Sequence, residues 1–202
     1  MSSASLNLTD GGLALSERKV VGAQGSTKVL AASSLGSCLV FVSSAVVTVA
    51  LAAIGRGMRL SPLELQWVMN AELLPLAVLT LVAGALGDRF GQKRIFLAGI
   101  ALYGLGAAMI GFAPSFAPLI VGRFLQGLGE ALILPNGLSV LGQAFPADKK
   151  ARAVGIWSAA AAVASGVAPA IAGAILNHGS WRTTFRVIAQ NRWDGRLSLR
   201  RC

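Results

Sequence analysis

The fold is decided by one stretch of this sequence, Gly84-Ala85-Leu86-Gly87-Asp88-Arg89-Phe90-Gly91-Gln92-Lys93-Arg94. It lies between two apolar runs, Leu65–Leu86 and Ile95–Phe112. As α-helices, both runs are long enough to cross the hydrocarbon core of a bilayer, about 30 Å thick. The stretch therefore predicts a very short hairpin between two membrane helices.

The glycines and charges of this stretch suit such a hairpin. Gly84, Gly87 and Gly91 allow helix backbones to approach closely. Three basic residues are typical of a loop held on the cytoplasmic side of a membrane: Arg89, Lys93 and Arg94. Asp88 is unusual in such a place, and we expect it to have a specific partner. The alternative is a hairpin with no role beyond its topology, because any membrane hairpin carries some basic residues.

The order of these residues resembles the signature loop between helices 2 and 3 of the major facilitator superfamily, G-x-L-a-D-r-x-G-x-k-x-x. The matching positions are Gly84, Leu86, Asp88, Arg89, Gly91 and Lys93. Gly87 stands at a position commonly filled by a small residue. The resemblance implies a secondary transporter in which this loop latches two halves of the molecule together on the cytoplasmic side. Asp88 and the glycines would contribute most to that latch.

The composition is that of a membrane protein. Of the 202 residues, 54% are hydrophobic and only 13% are charged, whereas soluble domains carry about 25% charged residues. The net charge of +10 does not indicate nucleic-acid binding, because the basic residues flank apolar runs and form no patch interleaved with aromatics. Two cysteines and one isolated histidine, His178, supply neither a disulfide framework nor a metal site. No nucleophile–base pair or cofactor loop is present either, so we expect no enzyme and no cofactor.

Five apolar runs predict an all-α fold, a polytopic transmembrane helix bundle. The runs are Val29–Ile54, Leu65–Leu86, Ile95–Phe112, Leu119–Leu141 and Arg152–Leu176. The resemblance makes residues 28–177 equivalent to helices 1–5 of a facilitator N-terminal half. The polar residues 1–27 predict a disordered cytoplasmic tail. Residues 178–202 predict an Arg-rich C-terminal tail.

The distribution of Lys and Arg predicts the orientation. Nine basic residues lie on the side of the N-terminus: Arg18, Lys19, Lys28, Arg89, Lys93, Arg94, Lys149, Lys150 and Arg152. The loops on the opposite side contain two, Arg56 and Arg59. This bias predicts a cytoplasmic N-terminus in the inner or plasma membrane.

The last part of the chain departs from this rule. With five spans the C-terminus lies outside, yet six arginines follow the fifth: Arg182, Arg186, Arg192, Arg196, Arg200 and Arg201. Trp181-Arg182-Thr183-Thr184-Phe185 resembles the W-R-x-x-F that precedes helix 6 in the same superfamily. The resemblance stops after Phe185. We therefore expect an aberrant end, truncated after helix 5 by divergence or a changed reading frame.

Polar residues inside the spans are the candidates for transport chemistry. Arg123, Gln126, Gly127 and Gly129 resemble the R-x-x-Q-G-x-G pattern of the fourth facilitator helix. A buried Arg is costly unless it meets an acid or water, so it indicates function by default. Glu130 lies seven residues after Arg123, on the same helix face, and we expect Glu72 at similar depth. These acids predict a proton-handling cluster; the alternative is a purely structural ion pair between the second and fourth spans.

Two further motifs narrow the resemblance to the fourteen-helix drug:proton antiporters. Gly166, Pro169 and Gly173 match the helix-5 motif G-x-x-x-G-P-x-x-G-G in part, and we expect them to favour tight backbone contact. The end of the first span resembles that branch's first-helix pattern. The family Asp there falls on Ser43, which departs from the pattern and removes a proton or cation site of that branch. Glu72 and Glu130 are the acids available to take over that role.

The function implied by the resemblance is proton-coupled efflux of small drug-like molecules by alternating access. The expected partners are the lipid bilayer and, once a second half completes the molecule, a small-molecule substrate and protons. Nucleic acid is not an expected partner. The alternative is a truncated, non-transporting membrane fragment or helix-association partner, since one half cannot rock against an absent second half.

Overall fold

The computed structural model describes residues 23–178, together with Arg182 and Phe185. The described chain forms five α-helices in sequence order: α1 Ala23–Met58, α2 Pro62–Phe90, α3 Gln92–Phe112, α4 Phe116–Ala144 and α5 Ala147–His178. All five are long and apolar enough to cross a membrane. The prediction of an all-α, five-span bundle is confirmed.

The helices extend further than the apolar runs from which they were predicted. Gly55 to Met58, predicted as loop, complete α1, and Asp88 to Phe90 complete α2. The backbone gains its hydrogen bonds by remaining helical into the interface, and only the side chains change from apolar to polar. α1 begins at Ala23, within the predicted 1–27 tail; residues 1–22 lie outside the described part, as does most of the predicted 178–202 tail.

The connections between helices are correspondingly short. A single residue, Gly91, separates α2 from α3, and its φ of +95° is one that L side chains rarely adopt. The start of α2 is set by a capping box, because the Ser61 side chain accepts from the Glu64 amide and the Glu64 side chain accepts from the Ser61 amide. Pro62 occupies the first helical turn, where its missing N–H costs nothing.

The closest packing in the bundle is that of α3 against α4. Each helix presents two glycines seven residues apart, Gly99 and Gly106 on α3 and Gly122 and Gly129 on α4. A Cβ built on Gly106 would lie 2.5 Å from the Gly122 carbonyl oxygen, and one on Gly129 would lie 2.6 Å from the Tyr103 amide nitrogen. Small residues are thus what allows these two backbones to touch, as is usual for helices in lipid.

A second layer of contacts joins α2 to α4 and α1 to α5, with α4 at the centre of the bundle. The Trp157 indole on α5 donates to Ser37 Oγ on α1 at 3.2 Å. The end opposite the α2–α3 hinge is closed by two residues of the predicted C-terminal tail. Phe185 is fully buried in the hydrophobic core, and Arg182 donates to the Ala113 carbonyl in the α3–α4 turn at 3.1 Å.

Two helix faces remain open. On α2, Val78 is 69% and Leu81 is 86% exposed; on α5, Val163 is 65% exposed. These apolar residues are not covered by any of the described residues. The bundle therefore has a packed side built on α3 and α4 and apolar open faces on α2 and α5.

Candidate functional site: a buried polar network across three helices

The Arg123 side chain on α4 is the centre of a buried hydrogen-bonded network. It is only 1% exposed. Its Nε donates to the Val68 carbonyl at 3.0 Å and its Nη1 donates to Gln126 Oε1 at 2.9 Å. Its Nη2 forms an ion pair with Glu72 Oε2 on α2. Each of the three guanidinium nitrogens thus donates to an acceptor. Such partners offset the cost of burying a charged Arg side chain.

Helix α1 completes this network with two adjacent serines. Ser43 Oγ accepts from Gln126 Nε2 at 3.4 Å, and Ser44 Oγ donates to Glu72 Oε2 at 3.5 Å. Both serines lie in the middle of α1, and Ser43 is fully buried. The network therefore joins α1, α2 and α4 at one depth in the bundle, and a change in the charge of Glu72 acts on all three helices.

One carboxylate oxygen of the network lacks a hydrogen-bond partner among the described residues. This atom is Oε1 of Glu72, which is 2% exposed. A buried carboxylate oxygen with no donor is energetically costly. A proton on that oxygen would remove the negative charge of Glu72.

Helix packing explains why Glu72 and Arg123 meet. Gly127 follows Gln126 on α4, and a Cβ built there would lie 2.1 Å from the Glu72 carbonyl oxygen and 2.6 Å from Pro75 Cγ. Any larger residue would push α2 away. The glycine of the fourth-helix pattern therefore brings the backbone of Glu72 against α4, and Arg123, one turn earlier, reaches its carboxylate.

Glu130 is buried on the same helix, 6% exposed, and lies about 10 Å beyond Arg123 along α4. The structure thus confirms that both acids are buried. It brings Glu72 into direct contact with Arg123, whereas Glu130 lies nearly two turns nearer the hinge end.

The signature stretch at the hinge end forms a second polar group. Asp88 accepts from Gln92 Nε2 at 2.9 Å, and Gln92 Oε1 accepts in turn from Gln143 Nε2 at the end of α4. Within the described chain, Asp88 thus has Gln92 as a local hydrogen-bond partner, and the latch to a second half stays a prediction. Arg89 stacks on the Phe90 ring at 5.4 Å, and both are exposed, as are Lys93 and Arg94.

The three glycines of this stretch differ in their surroundings. Gly87 faces Asn136 of α4, whose Nδ2 donates to the carbonyls of Ala83 and Leu132, each at 3.0 Å. Gly91 makes the turn. A Cβ built on Gly84 would meet nothing within 4 Å from the other described helices, so the close approach expected there does not occur inside this bundle.

The helix-5 motif lies away from the Arg123 network. A Cβ built on Gly166 or Gly173 would also meet nothing within 4 Å among the described residues, and Pro169 is exposed. The tight contact expected from these small residues is therefore absent within the described bundle, because they lie on the open face of α5.

Sequence reasoning missed several contributors to these sites. Ser43 was noted only as a replacement for an acid, and Ser44 not at all as a partner of Glu72. Neither Asn136 nor Gln143 was predicted to contribute to a site. The available signal was that each is a polar side chain in or next to an apolar run, where it must find a hydrogen-bond partner.

Five apolar helices long enough to cross a membrane, packed around a buried ion pair, place the chain among the polytopic helical membrane proteins. Residues 33–189 match the model of the Major Facilitator Superfamily, and the chain belongs to that family.

Curated relatives agree with this assignment. The chain is 38% identical over 156 residues to the tetracenomycin C resistance and export protein of Streptomyces glaucescens, covering 77% of this chain and 29% of that protein. It is 38% identical over 159 residues to the multidrug resistance protein Stp of Mycobacterium tuberculosis, covering 78% of this chain and 30% of that protein. The chain thus spans less than a third of the length of these two relatives.

Solved structures show the same fold. A bacterial homolog of the human lysosomal transporter Spinster, inward-facing and unoccupied, superposes with a TM-score of 0.76 at 22% identity. The match covers 86% of this chain and 42% of that one.

Proposed function

We propose that this chain supplies the first helix bundle of an exporter of small, drug-like molecules, and that export is coupled to protons by alternating access. The resistance and export names of relatives at 38% identity support the substrate class. The observation that carries the proposal is the buried Arg123–Glu72 ion pair, because charged side chains inside a membrane span are costly and by default indicate a functional site.

Proton coupling follows from the state of Glu72. While Glu72 is ionised, it holds Nη2 of Arg123 and ties α2 to α4. A proton arriving on the unpartnered Oε1 neutralises the acid, weakens the ion pair and leaves Arg123 with Gln126 and the Val68 carbonyl. Two charge states of one carboxyl therefore favour two arrangements of α2 and α4, which is the property that a coupling site needs. Glu130 is the second candidate.

The open faces of α2 and α5 are where a second bundle would pack. Leu81 on α2 and Val163 on α5 are apolar and exposed. A Cβ built on Gly84, Gly166 or Gly173 of these helices would meet no described residue within 4 Å, which leaves room for a close helix approach from outside the bundle. We infer that Asp88 contacts this second half on the cytoplasmic side, as a latch. The bias of Lys and Arg supports an inner or plasma membrane with the N-terminus in the cytoplasm.

Export is tested with a chimera, because the substrate path of this fold runs between two bundles. Residues 33–189 replace the matching segment of the Streptomyces glaucescens protein, and uptake of cationic dyes is followed in inverted vesicles with an imposed proton gradient. We expect gradient-driven uptake that Glu72→Gln abolishes at unchanged membrane level. Asp148→Asn, which removes an exposed acid, is the matched control and leaves uptake unchanged.

Three outcomes distinguish the parts of the proposal. A chimera that inserts normally but moves no dye would contradict the exporter function. Normal export by both Glu72→Gln and Glu130→Gln would contradict proton coupling through these acids. The 202-residue chain alone in vesicles is expected to move no dye; gradient-dependent movement lost on Asp88→Ala would show that one bundle suffices.

The second candidate function is association with another membrane protein without transport. The apolar open faces of α2 and α5 favour it. If association is the function, the chimera is inactive in the transport assay. In a separate crosslinking experiment, the 202-residue chain with cysteines introduced at Leu81 or Val163 crosslinks to one defined membrane partner.

A further inference from the structure

We propose that the hinge end of the bundle carries a binding site for the headgroup of an anionic phospholipid, formed between the α2–α3 hinge and the α4–α5 connection. Six exposed basic residues lie at this end: Arg89, Lys93, Arg94, Lys149, Lys150 and Arg152. The exposed acids there are Asp88 and Asp148. Such a surplus of positive charge beside the membrane attracts negatively charged headgroups.

The two basic segments are held together by the fold. Gln143 at the end of α4 donates to Gln92 at the start of α3, which places Lys93 beside the end of α4. The Lys150 side chain returns over α4, with Nζ 3.2 Å from a Cβ built on Gly142, the neighbour of Gln143. The start of α3 and the Lys150 side chain, one from each connection, therefore both lie against the last turn of α4.

Two helix N-termini add to the positive field. α3 and α5 both begin at this end, and the first turn of a helix presents unpaired amide hydrogens and the positive end of its dipole. Gly91 precedes α3 and has no side chain that could cap those amides, although its carbonyl accepts from the Arg94 amide at 3.0 Å. A phosphate between the two connections would meet amides and ammonium groups together, which is the usual chemistry of phosphate recognition.

A lipid is the occupant that the location favours. The site lies at the ends of four candidate spans, at the level where headgroups begin. Phe90 is exposed at this end, and Leu81 is exposed about 13 Å further along α2, so an acyl chain could follow this helix. A soluble anion would use the same cations without the apolar surface.

The proposal is tested by native mass spectrometry of the purified 202-residue chain in mild detergent, titrated with phosphatidylglycerol or phosphatidylcholine. We expect preferential retention of phosphatidylglycerol. Lys149→Gln/Lys150→Gln should weaken its binding by about fivefold for each charge removed. Arg56→Gln/Arg59→Gln, which removes two exposed cations at the opposite end, is the matched control and leaves retention unchanged.

A further variant separates a built site from a general attraction between positive loops and membranes. Gln143→Leu keeps every charge but breaks the contact with Gln92, so it should lower phosphatidylglycerol retention while leaving phosphatidylcholine retention, the measure of an intact fold, as it was. Equal retention of the two lipids would overturn the proposal. Unchanged phosphatidylglycerol binding in Gln143→Leu, or equal losses in the lysine and arginine variants, would also overturn it.

Discussion

Asn136 occupies the space that a side chain at Gly87 would fill: its Oδ1 lies 1.7 Å from a Cβ built on Gly87. The amide of Asn136 donates to Ala83 on α2 and to Leu132 on its own helix. A glycine of the signature stretch and a polar residue of α4 thus depend on each other. This contact locks the hinge end of α2 to α4.

We expect Gly87→Ala to destabilise the bundle by about 1–3 kcal/mol, the usual cost of adding a methyl group to a packed site. The measurement is thermal unfolding of the purified chain in detergent. Gly84→Ala is the matched control, because it adds the same methyl group one turn earlier on the same helix, into open space. It should change stability by less than about 1 kcal/mol. Equal losses in the two variants would contradict the Asn136 contact.

The partner residue should rescue the defect. Asn136→Ala in the Gly87→Ala background removes the atom that the new methyl group meets. We expect the double variant to be more stable than Gly87→Ala alone, although Asn136→Ala by itself is destabilising because it gives up two hydrogen bonds. A double-mutant cycle measures this coupling, and strictly additive effects would rule out the proposed contact.

The Arg123–Glu72 pair should show the asymmetry of a buried ion pair. Glu72→Leu alone leaves the guanidinium without its acid and should cost about 3–5 kcal/mol. Arg123→Met/Glu72→Leu removes both charges and should recover most of that loss. Unfolding in mixed micelles measures both. If the double variant is as unstable as the single one, the network contributes by packing rather than by charge.

The Gly127 position should be more sensitive than Gly166. Gly127→Ala drives a methyl group into the Glu72 carbonyl and Pro75, whereas Gly166→Ala enters open space on α5. We expect a clear fall in the unfolding temperature for the first variant and little change for the second. In an exporting chimera, we expect Gly166→Ala to lower transport although it leaves the unfolding temperature nearly unchanged, because Gly166 lies on the face proposed for the second bundle. Full export by a Gly166→Ala chimera would contradict the proposal that this face of α5 packs closely against the second bundle.

The topology predicts alternating sides for reporter fusions along the chain. Fusions at Lys19, Lys93 and Lys149 should report the cytoplasm, and fusions at Gly57 and Pro114 the outside, because nine basic residues lie on one side and two on the other. A cytoplasmic signal at Gly57 would contradict five spans with this orientation.

The sequence by itself determined the five spans, their order and the family. Those properties depend on local quantities, namely the length of an apolar run and the positions of charges next to it. The burial of Arg123 and Glu72 could also be predicted, since a charge in the middle of a span has to face the bundle. Helix ends were less accurate, because hydrophobicity stops at the interface while backbone hydrogen bonding continues past it, as at Asp88 and Gly55.

Only the tertiary structure decided which side of each helix is packed. In lipid both the packed and the open faces of a helix are apolar or small, so periodicity does not distinguish them. Gly87 and Gly84 are both glycines in one motif, yet the first meets Asn136 and the second meets open space. For the same reason, the sequence did not predict the contacts that Ser43 and Ser44 make with Gln126 and Glu72. Their part in the Arg123 network depends on the rotation of α1 about its axis, and contacts with other helices determine that rotation.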